Sequence, residues 1–301
     1  REQKRRTSLG ARAVEGMEAL ARRCPGRRIV FCGDGGYTNG TVVKRLPADC
    51  RFIGRVRQDA KLHFPPNPTD GGGSGRPKVY GDRAPTPGEL LADDSVPWRE
   101  AEGFASGRKH LFRVKEVGGL LWRPAGGAAR LRLLVIAPLR YRLRKGPKLL
   151  YRRPAFLICT DPALTAEEIL QCYLWRWGVE VNFRDAKQLV GVGDAQVRTE
   201  LSNETLPAAL VGGYSLLWAS ALKLLASGTD PAGALVAPKW RRRAENGRKT
   251  PSTGQLLREL RTECWRQSLR PEGFRGFPAH PNADAKPQKL VFPLSGLFQT
   301  A

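Results

Sequence analysis

Over residues 8–23 the apolar side chains Val14, Met17, Leu20 and Ala21 recur at three- and four-residue spacing among basic and small polar ones. That spacing predicts a helix with one inward stripe. Residues 28–32 (Arg-Ile-Val-Phe-Cys) form a short apolar run closed by Gly33, the pattern of a buried strand. Asp34-Gly-Gly-Tyr37 follows as a turn. Asn39 as N-cap, with Val42, Val43 and Leu46 facing inward, predicts a second helix, and residues 51–56 read as a second strand. Helix, strand, helix, strand over residues 8–56 is the alternation of an α/β sheet.

The pattern changes at residue 60. Up to residue 97 Pro and Gly dominate (Pro65-Pro66, Gly71-Gly-Gly73), which predicts a loop or extended excursion. Strands are expected at 110–117, 120–123, 130–137 and 155–159, a β-rich insertion that ends in a strand of the main sheet. Thr165-Ala-Glu-Glu168 matches a capping box and starts a helix through Lys187. On it Leu170, Leu174, Trp177 and Val181 make an apolar stripe, so Trp177 is expected in the core. Residues 206–225 are apolar nearly all round behind Pro207, which predicts a buried helix starting there. Gly212-Gly213, Tyr214, Ser215, Ser220 and Lys223 argue against a membrane span. Ser252-Thr-Gly-Gln255 opens a last short helix with Leu256, Leu257, Leu260 and Cys264 on one side, and the final thirty residues are Pro-rich and irregular.

Composition adds a partner. Lys and Arg number 51 against 28 Asp and Glu, a formal charge of +23, and the Arg clusters at 140–145 and 241–243 lie far apart in the chain. So much dispersed positive charge favours a polyanion, nucleic acid before membrane, since no basic amphipathic helix dominates. Six cysteines without a Cys-x-x-Cys pair, and three histidines, point to neither a zinc site nor a disulfide framework. With no signal peptide pattern, a cytoplasmic protein is expected. The opening at Arg1, directly into a basic helical pattern, reads as the C-terminal part of something longer.

The chemistry concentrates at two places. Asp34 closes a strand on a Gly-rich turn, where a carboxylate is well placed to hold a divalent ion, although Asp-Gly is also ordinary turn chemistry. Tyr173, Arg176, Glu180 and Lys187 are three, four and seven residues apart, and at about 100° per residue they fall within roughly 60° on a helix. One carboxylate among two cations and a phenol suits a metal ion beside phosphates, although Arg176 also offers Glu180 an i,i+4 partner. Trp175 and Trp177 are candidates for stacking on an unpaired base.

Taken together, Asp34-x-Gly36-Tyr37, a β-rich insertion and Tyr173-x2-Arg176-x3-Glu180-x6-Lys187 resemble the bacterial insertion-sequence transposases of the DDE class, in the subgroup with a Tyr-Arg-Glu-Lys signature. Trp175-Arg-Trp177 and Asn182-Phe-Arg-Asp185 look typical of the same segment. The resemblance implies an α/β fold: a ribonuclease H-like mixed sheet flanked by helices, with the insertion between the second and third acidic residues. It divides the chain into core (1–59), insertion (60–153), core (154–227) and a C-terminal basic region (228–301). It implies DNA strand cleavage and strand transfer at the ends of an insertion sequence, with two Mg²⁺ ions for which Mn²⁺ substitutes. Asp34 and Glu180 would be catalytic and metal-binding, matching the second and third acids. Tyr173, Arg176 and Lys187 would contact DNA. The partners implied are double-stranded DNA, both transposon ends and target, and a second copy on paired ends. The first acid has no match here, because no Asp precedes Asp34 and Glu2, Glu15 and Glu18 are not on a strand. Asp161 follows a strand but comes after the insertion. Two other readings therefore stand beside the first: an inactive transposase remnant that only binds DNA, and another ribonuclease H-like endonuclease.

Overall fold

The computed structural model describes residues 8–67, 78–105, 108–127, 129–141, 150–227 and 252–268. The chain forms two compact units, Arg1–Trp177 and Gly178–Ala301.

The first unit is a twisted sheet with helices on both faces. Ser8 caps α1 (Leu9–Arg23), accepting from the Ala11 N–H at 3.2 Å. Strand β1 (Ile29–Gly33) leads through α2 (Gly40–Lys44), capped by the Asn39 side chain, into β2 (Cys50–Arg55). β1 and β2 are parallel, in register from Ile29↔Cys50 to Gly33↔Gly54. The rest is antiparallel: β3 (Leu62–His63), β4 (Arg99–Ala105), β5 (Arg108–Trp122), β6 (Leu131–Ile136) and β9 (Ala155–Cys159) give the order β1-β2-β9-β6-β5-β3, with β4 on β5. Two short strands, β7 (Leu139–Tyr141) and β8 (Leu150–Arg152), make a separate ribbon. The insertion thus continues the main sheet.

Why this sheet is buried follows from β2, β6 and β9. Successive side chains in a strand point to opposite faces. Phe52, Leu133, Val135, Phe156 and Ile158 pack on one face with Val14, Met17 and Val42 of α1 and α2. Ile53, Leu134, Ile136, Leu157 and Cys159 pack on the other with Ile169 and Leu170 of α4 (Ala166–Trp175). Strands with apolar side chains on both faces need cover on both sides, and the helices provide it.

Three expectations for the insertion need correction. Residues 60–97 are not all irregular: they contain β3 and the helix α3 (Pro87–Ala92). Thr86 and Glu89 form a full capping box there, with Pro87 in the first turn, so the start signal was present in the sequence. The strands expected at 110–117 and 120–123 are one strand, β5, because a bulge between Val117 and Leu120, with Gly119 at φ +71°, absorbs the irregularity. Strand β4 was missed, since Arg99-Glu-Ala-Glu alternation carries almost no apolar signal. Lys115 holds α3 to the sheet. It is 2% exposed, donates to the carbonyls of Leu90 (3.1 Å) and Asp93, and lies 4.5 Å from the Trp98 ring centroid. A buried ammonium is tolerated because the helix end supplies oxygens and the indole a negative face.

In the second unit the described helices are α5 (Trp177–Asp185, whose first residue closes the first unit), α6 (Glu200–Ala226) and α7 (Thr253–Ser268), with a π-helical turn Ala186–Val190 after α5. The expected capping box forms at Ser252 and Gln255, and Leu256 is fully buried. Helix α6 departs from expectation twice. Thr199 starts it, its hydroxyl accepting from the Ser202 N–H at 3.1 Å, so Pro207 falls inside the helix. Nor is α6 buried all round: Tyr214, Leu217, Ala221 and Leu224 face inward, while Leu216 and Leu222 are each 56% exposed. Among the described residues only that face has an apolar partner, chiefly Leu256, Leu257 and Leu260 of α7. By length and composition α6 is also apolar enough to cross a membrane. Residues 228–251, including Arg241, Arg242 and Arg243, and the final thirty lie outside the described residues.

Ile158 is fully buried in β9 between β2 and β6. Ile158→Ala should lower unfolding free energy by about 2–5 kcal/mol, measurable by urea denaturation.

Candidate active site

Asp34 stands immediately past β1, at the carboxyl end of the parallel pair, where open α/β sheets bind ligands. Its Oδ1 accepts hydrogen bonds from the N–H groups of Gly36 (2.9 Å) and Tyr37 (3.3 Å), and its carbonyl accepts from the Thr38 N–H (3.0 Å) and hydroxyl (2.7 Å). No described residue donates to Oδ2. The turn therefore fixes one oxygen and leaves the other for a ligand.

Two facing glycines let this turn settle onto the sheet. Gly33 and Gly54 are register partners. A Cβ on Gly54 would stand 2.3 Å from Thr38 Oγ1, and one on Gly33 2.7 Å from Phe52 Cζ and 3.1 Å from Tyr37 Cβ. Either methyl would push out the residues that position Asp34. Cys32, two residues earlier, supplies no thiolate, because burial pushes its pKa up to about 12.

Helix α4 brings Tyr173 and Arg176. Thr165 and Glu168 complete the expected capping box, and Ile169 and Leu170 seat the helix on the sheet. Gln171 fixes it further: its side chain accepts from the Phe104 N–H (2.7 Å) and donates to the Phe104 carbonyl (3.2 Å), covering part of the free edge of β4. The Arg176 guanidinium lies 5.5 Å from the Tyr173 ring centroid, so these two side chains are brought together.

The single helix expected through Lys187 is interrupted. α4 ends at Trp175, the Arg176 N–H bonds back to the Tyr173 carbonyl at 3.2 Å in a tighter turn, and α5 begins at Trp177. Lys187 lies in the π-helical turn. A count at 100° per residue assumes unbroken α-geometry and does not carry across these junctions. Trp177 is 61% exposed and Trp175 66%, so the core role expected for Trp177 is also corrected: its stripe was drawn across the break.

Within the second unit Glu180 is exposed in the first turn of α5, and Lys187 is exposed. The helix that carries Glu180 is tied at two points. The Tyr214 hydroxyl donates to Asn182 Oδ1 (3.1 Å). Asp185, 7% exposed, accepts from Arg184 (2.9 and 3.1 Å) and from the Thr253 hydroxyl (2.7 Å), whose oxygen accepts from Trp218 Nε1 (3.2 Å). Sequence reasoning gave these residues no role. The Asn182–Asp185 motif pointed at the place but not at partners 32 and 68 residues away.

Asp161 is at the other end of the sheet. It is 3% exposed, accepts from the Ala163 N–H (2.9 Å), and its Oδ2 has ion contacts with Arg28 (3.4 Å) and Arg51 (3.7 Å) without hydrogen-bond alignment. Arg28 and Arg51 sit at the amino ends of β1 and β2, so Asp161 is a structural turn acid. As a metal ligand, Asp34 fits a hard divalent ion through its outward oxygen. No group of three or more His, Cys, Asp or Glu side chains suited to a metal is assembled among the described residues.

The family model described as Transposase DDE domain matches residues 11–212, which include Asp34 and all four residues of the Tyr-Arg-Glu-Lys pattern. The chain belongs to this family. Its mixed sheet with helices on both faces is the ribonuclease H-like fold of a DDE domain. A transposase function follows, with DNA as partner, and the family generally works with divalent metal ions. No curated protein matches the chain.

Gly54→Ala should cost about 1–3 kcal/mol by overpacking against Thr38. Gly16→Ala, in the middle of α1 with nothing within 4 Å, should gain about 0.5–1 kcal/mol. Thermal unfolding of the two variants tests whether the facing glycines are a packing requirement.

Proposed function

We propose that the chain carries out divalent-metal-dependent cleavage and strand transfer at insertion-sequence ends, as a member of the Tyr-Arg-Glu-Lys subgroup. The observation that carries this reading is the family match spanning both Asp34 and Glu180, joined to the outward oxygen of Asp34 at the carboxyl end of β1. On this reading Asp34 and Glu180 hold Mg²⁺, with Mn²⁺ as a substitute. Bound there, the ions supply Lewis-acid stabilisation of the attacking and leaving oxygens of an in-line displacement.

The chain's own residues do the rest. The Asp34 turn presents a carboxylate oxygen whose direction is set by two backbone N–H bonds, so no reorganisation is needed when a ligand arrives. Arg176 binds a DNA phosphate, its plane steadied by the Tyr173 ring, and Tyr173 offers its hydroxyl to a neighbouring phosphate oxygen. Lys187 adds a point charge for the backbone. The working form is a homodimer on paired ends, acting on double-stranded DNA, both transposon ends and target, in the cytoplasm. Domain limits follow the same reading: core over 1–59 and 154–227, insertion over 60–153, and a basic C-terminal region from 228.

Cleavage of a duplex ending in the element's terminal inverted repeat, followed with Mg²⁺ on a sequencing gel, tests the assignment. Asp34→Asn and Glu180→Gln should each lower the rate by about 10²-fold or more while leaving duplex affinity in EDTA unchanged. Activity within a few-fold of the parent in either variant would remove that carboxylate from the site. Arg176→Ala should weaken binding of the end in EDTA by about tenfold, and unchanged affinity would end its phosphate role.

A further inference from the structure

Helix α5 is nine residues long, and its one buried residue is a carboxylate, Asp185. Its large apolar side chains Trp177, Val179 and Phe183 are exposed. The apolar cluster of the second unit, Leu217, Ala221 and Leu256 with Trp218, Leu257 and Leu260 around it, is built from α6 and α7 alone. Past the end of α5 the buried Ala186 and the π-helical turn pack against α6. So short a helix is marginal by itself, and no apolar stripe seats this one. Within α5, placement against α6 and α7 therefore rests on polar bonds.

Two of these bonds leave the helix. Asn182 Oδ1 accepts from the Tyr214 hydroxyl of α6 at 3.1 Å. One turn on, Asp185 Oδ2 accepts at 2.7 Å from the hydroxyl of Thr253, the first residue of α7, where the helix dipole favours an anion. Thr253 is 2% exposed, and its oxygen accepts in turn from Trp218 Nε1 of α6 at 3.2 Å, so the carboxylate closes a chain through all three helices. Arg184 satisfies the other carboxylate oxygen. Stability alone does not call for such a group, since replacing a buried charge pair by apolar side chains is often neutral or stabilising. What directional bonds supply is a fixed rotation. At about 100° per residue Asn182 and Asp185 share one face of α5, and Glu180 lies on the opposite face.

We propose that Asp185, through Thr253, is a positioning residue for strand cleavage: it locks the rotation of α5 so that Glu180 is presented away from α6 and α7. The inference rests on the reading that Glu180 serves the reaction. Asp185 touches no reacting atom, and acts by denying α5 the other rotations that its exposed apolar surface would tolerate.

The test uses the whole chain and the terminal-repeat duplex with Mg²⁺, and reads both the cleavage rate at saturating duplex and the half-saturating duplex concentration. Thr253→Val removes the hydroxyl and keeps the side-chain shape. It should lower the saturated rate about tenfold with half-saturation unchanged, since a small displacement of a reacting group acts on rate and not on end binding. Thr253→Ser keeps the hydroxyl and should stay within about twofold of the parent. Hydrogen exchange followed by mass spectrometry should show the amides of α5 exchanging about tenfold faster in Thr253→Val, with protection of α4 unchanged. Tyr214→Phe removes only the bond to Asn182 and should reproduce the same split at about threefold, and it decides the matter if Thr253→Val does not fold. A saturated rate in Thr253→Val within about twofold of the parent would overturn the proposal. So would equal losses in Thr253→Ser and Thr253→Val, because packing and not the hydroxyl would then explain them. If Glu180→Gln abolishes cleavage while Thr253→Val cleaves normally, only the lock is lost. If Glu180→Gln cleaves at the parent rate while Thr253→Val is slowed with faster exchange in α5, Asp185 still positions α5 and the assignment of Glu180 falls.

Discussion

The first unit depends on β2, β6 and β9 being covered on both faces. Their side chains are apolar at nearly every position, so neither face can be left to water, and each Å² of apolar surface removed contributes roughly 25 cal/mol. α1 and α2 therefore pack on one side and α4 on the other. Once those layers are in place, the carboxyl end of β1 and the face of α4 are fixed in space chiefly by core residues, Tyr173 alone of the candidate site residues packing against that core.

That separation explains how the polar residues are held. Asp34 sits on a turn whose hydrogen bonds are all to its own next four residues, and the turn reaches the sheet only because Gly33 and Gly54 face each other with no side chains. Tyr173 and Arg176 ride on a helix fixed by Leu170 and by the Gln171 clamp on Phe104. In the second unit Asn182 and Asp185 tie α5 to α6 and α7. Asp34, Glu180 and Lys187 are thus exposed and Tyr173 and Arg176 half-buried, while close neighbours in sequence are buried or bonded, an arrangement that leaves the candidate side chains reachable without leaving them loose.

Electrostatics divides the acids by role. Asp161 and Asp185 are buried and matched by arginines or a hydroxyl, as buried carboxylates must be. Asp34 is exposed with one oxygen free of described donors. In a chain of charge +23, an acid kept clear of the many arginines is notable chiefly for what it does not bond. The cations follow the same logic, with Arg28 and Arg51 used on Asp161 while Arg55 and Arg153 are left at the opposite end of the strands.

The sequence by itself determined what depends on local spacing. The helix, strand, helix, strand order over residues 8–56, the caps at Asn39, Thr165 and Ser252, and the strands β6 and β9 were legible because apolar periodicity and capping chemistry act over a few residues. So was the site pattern, as spacing and as family resemblance. Tertiary structure decided the rest. The break at Arg176 and the π-helical turn at Lys187 were invisible, since Leu170, Leu174, Trp177 and Val181 read equally well as a core stripe on an unbroken helix. β4 escaped because an edge strand with charged alternation is stabilised by its partner β5 and not by burial. The paired glycines, the Gln171 clamp and the Asp185 lock join residues up to 68 positions apart in the chain, and no periodicity encodes such contacts.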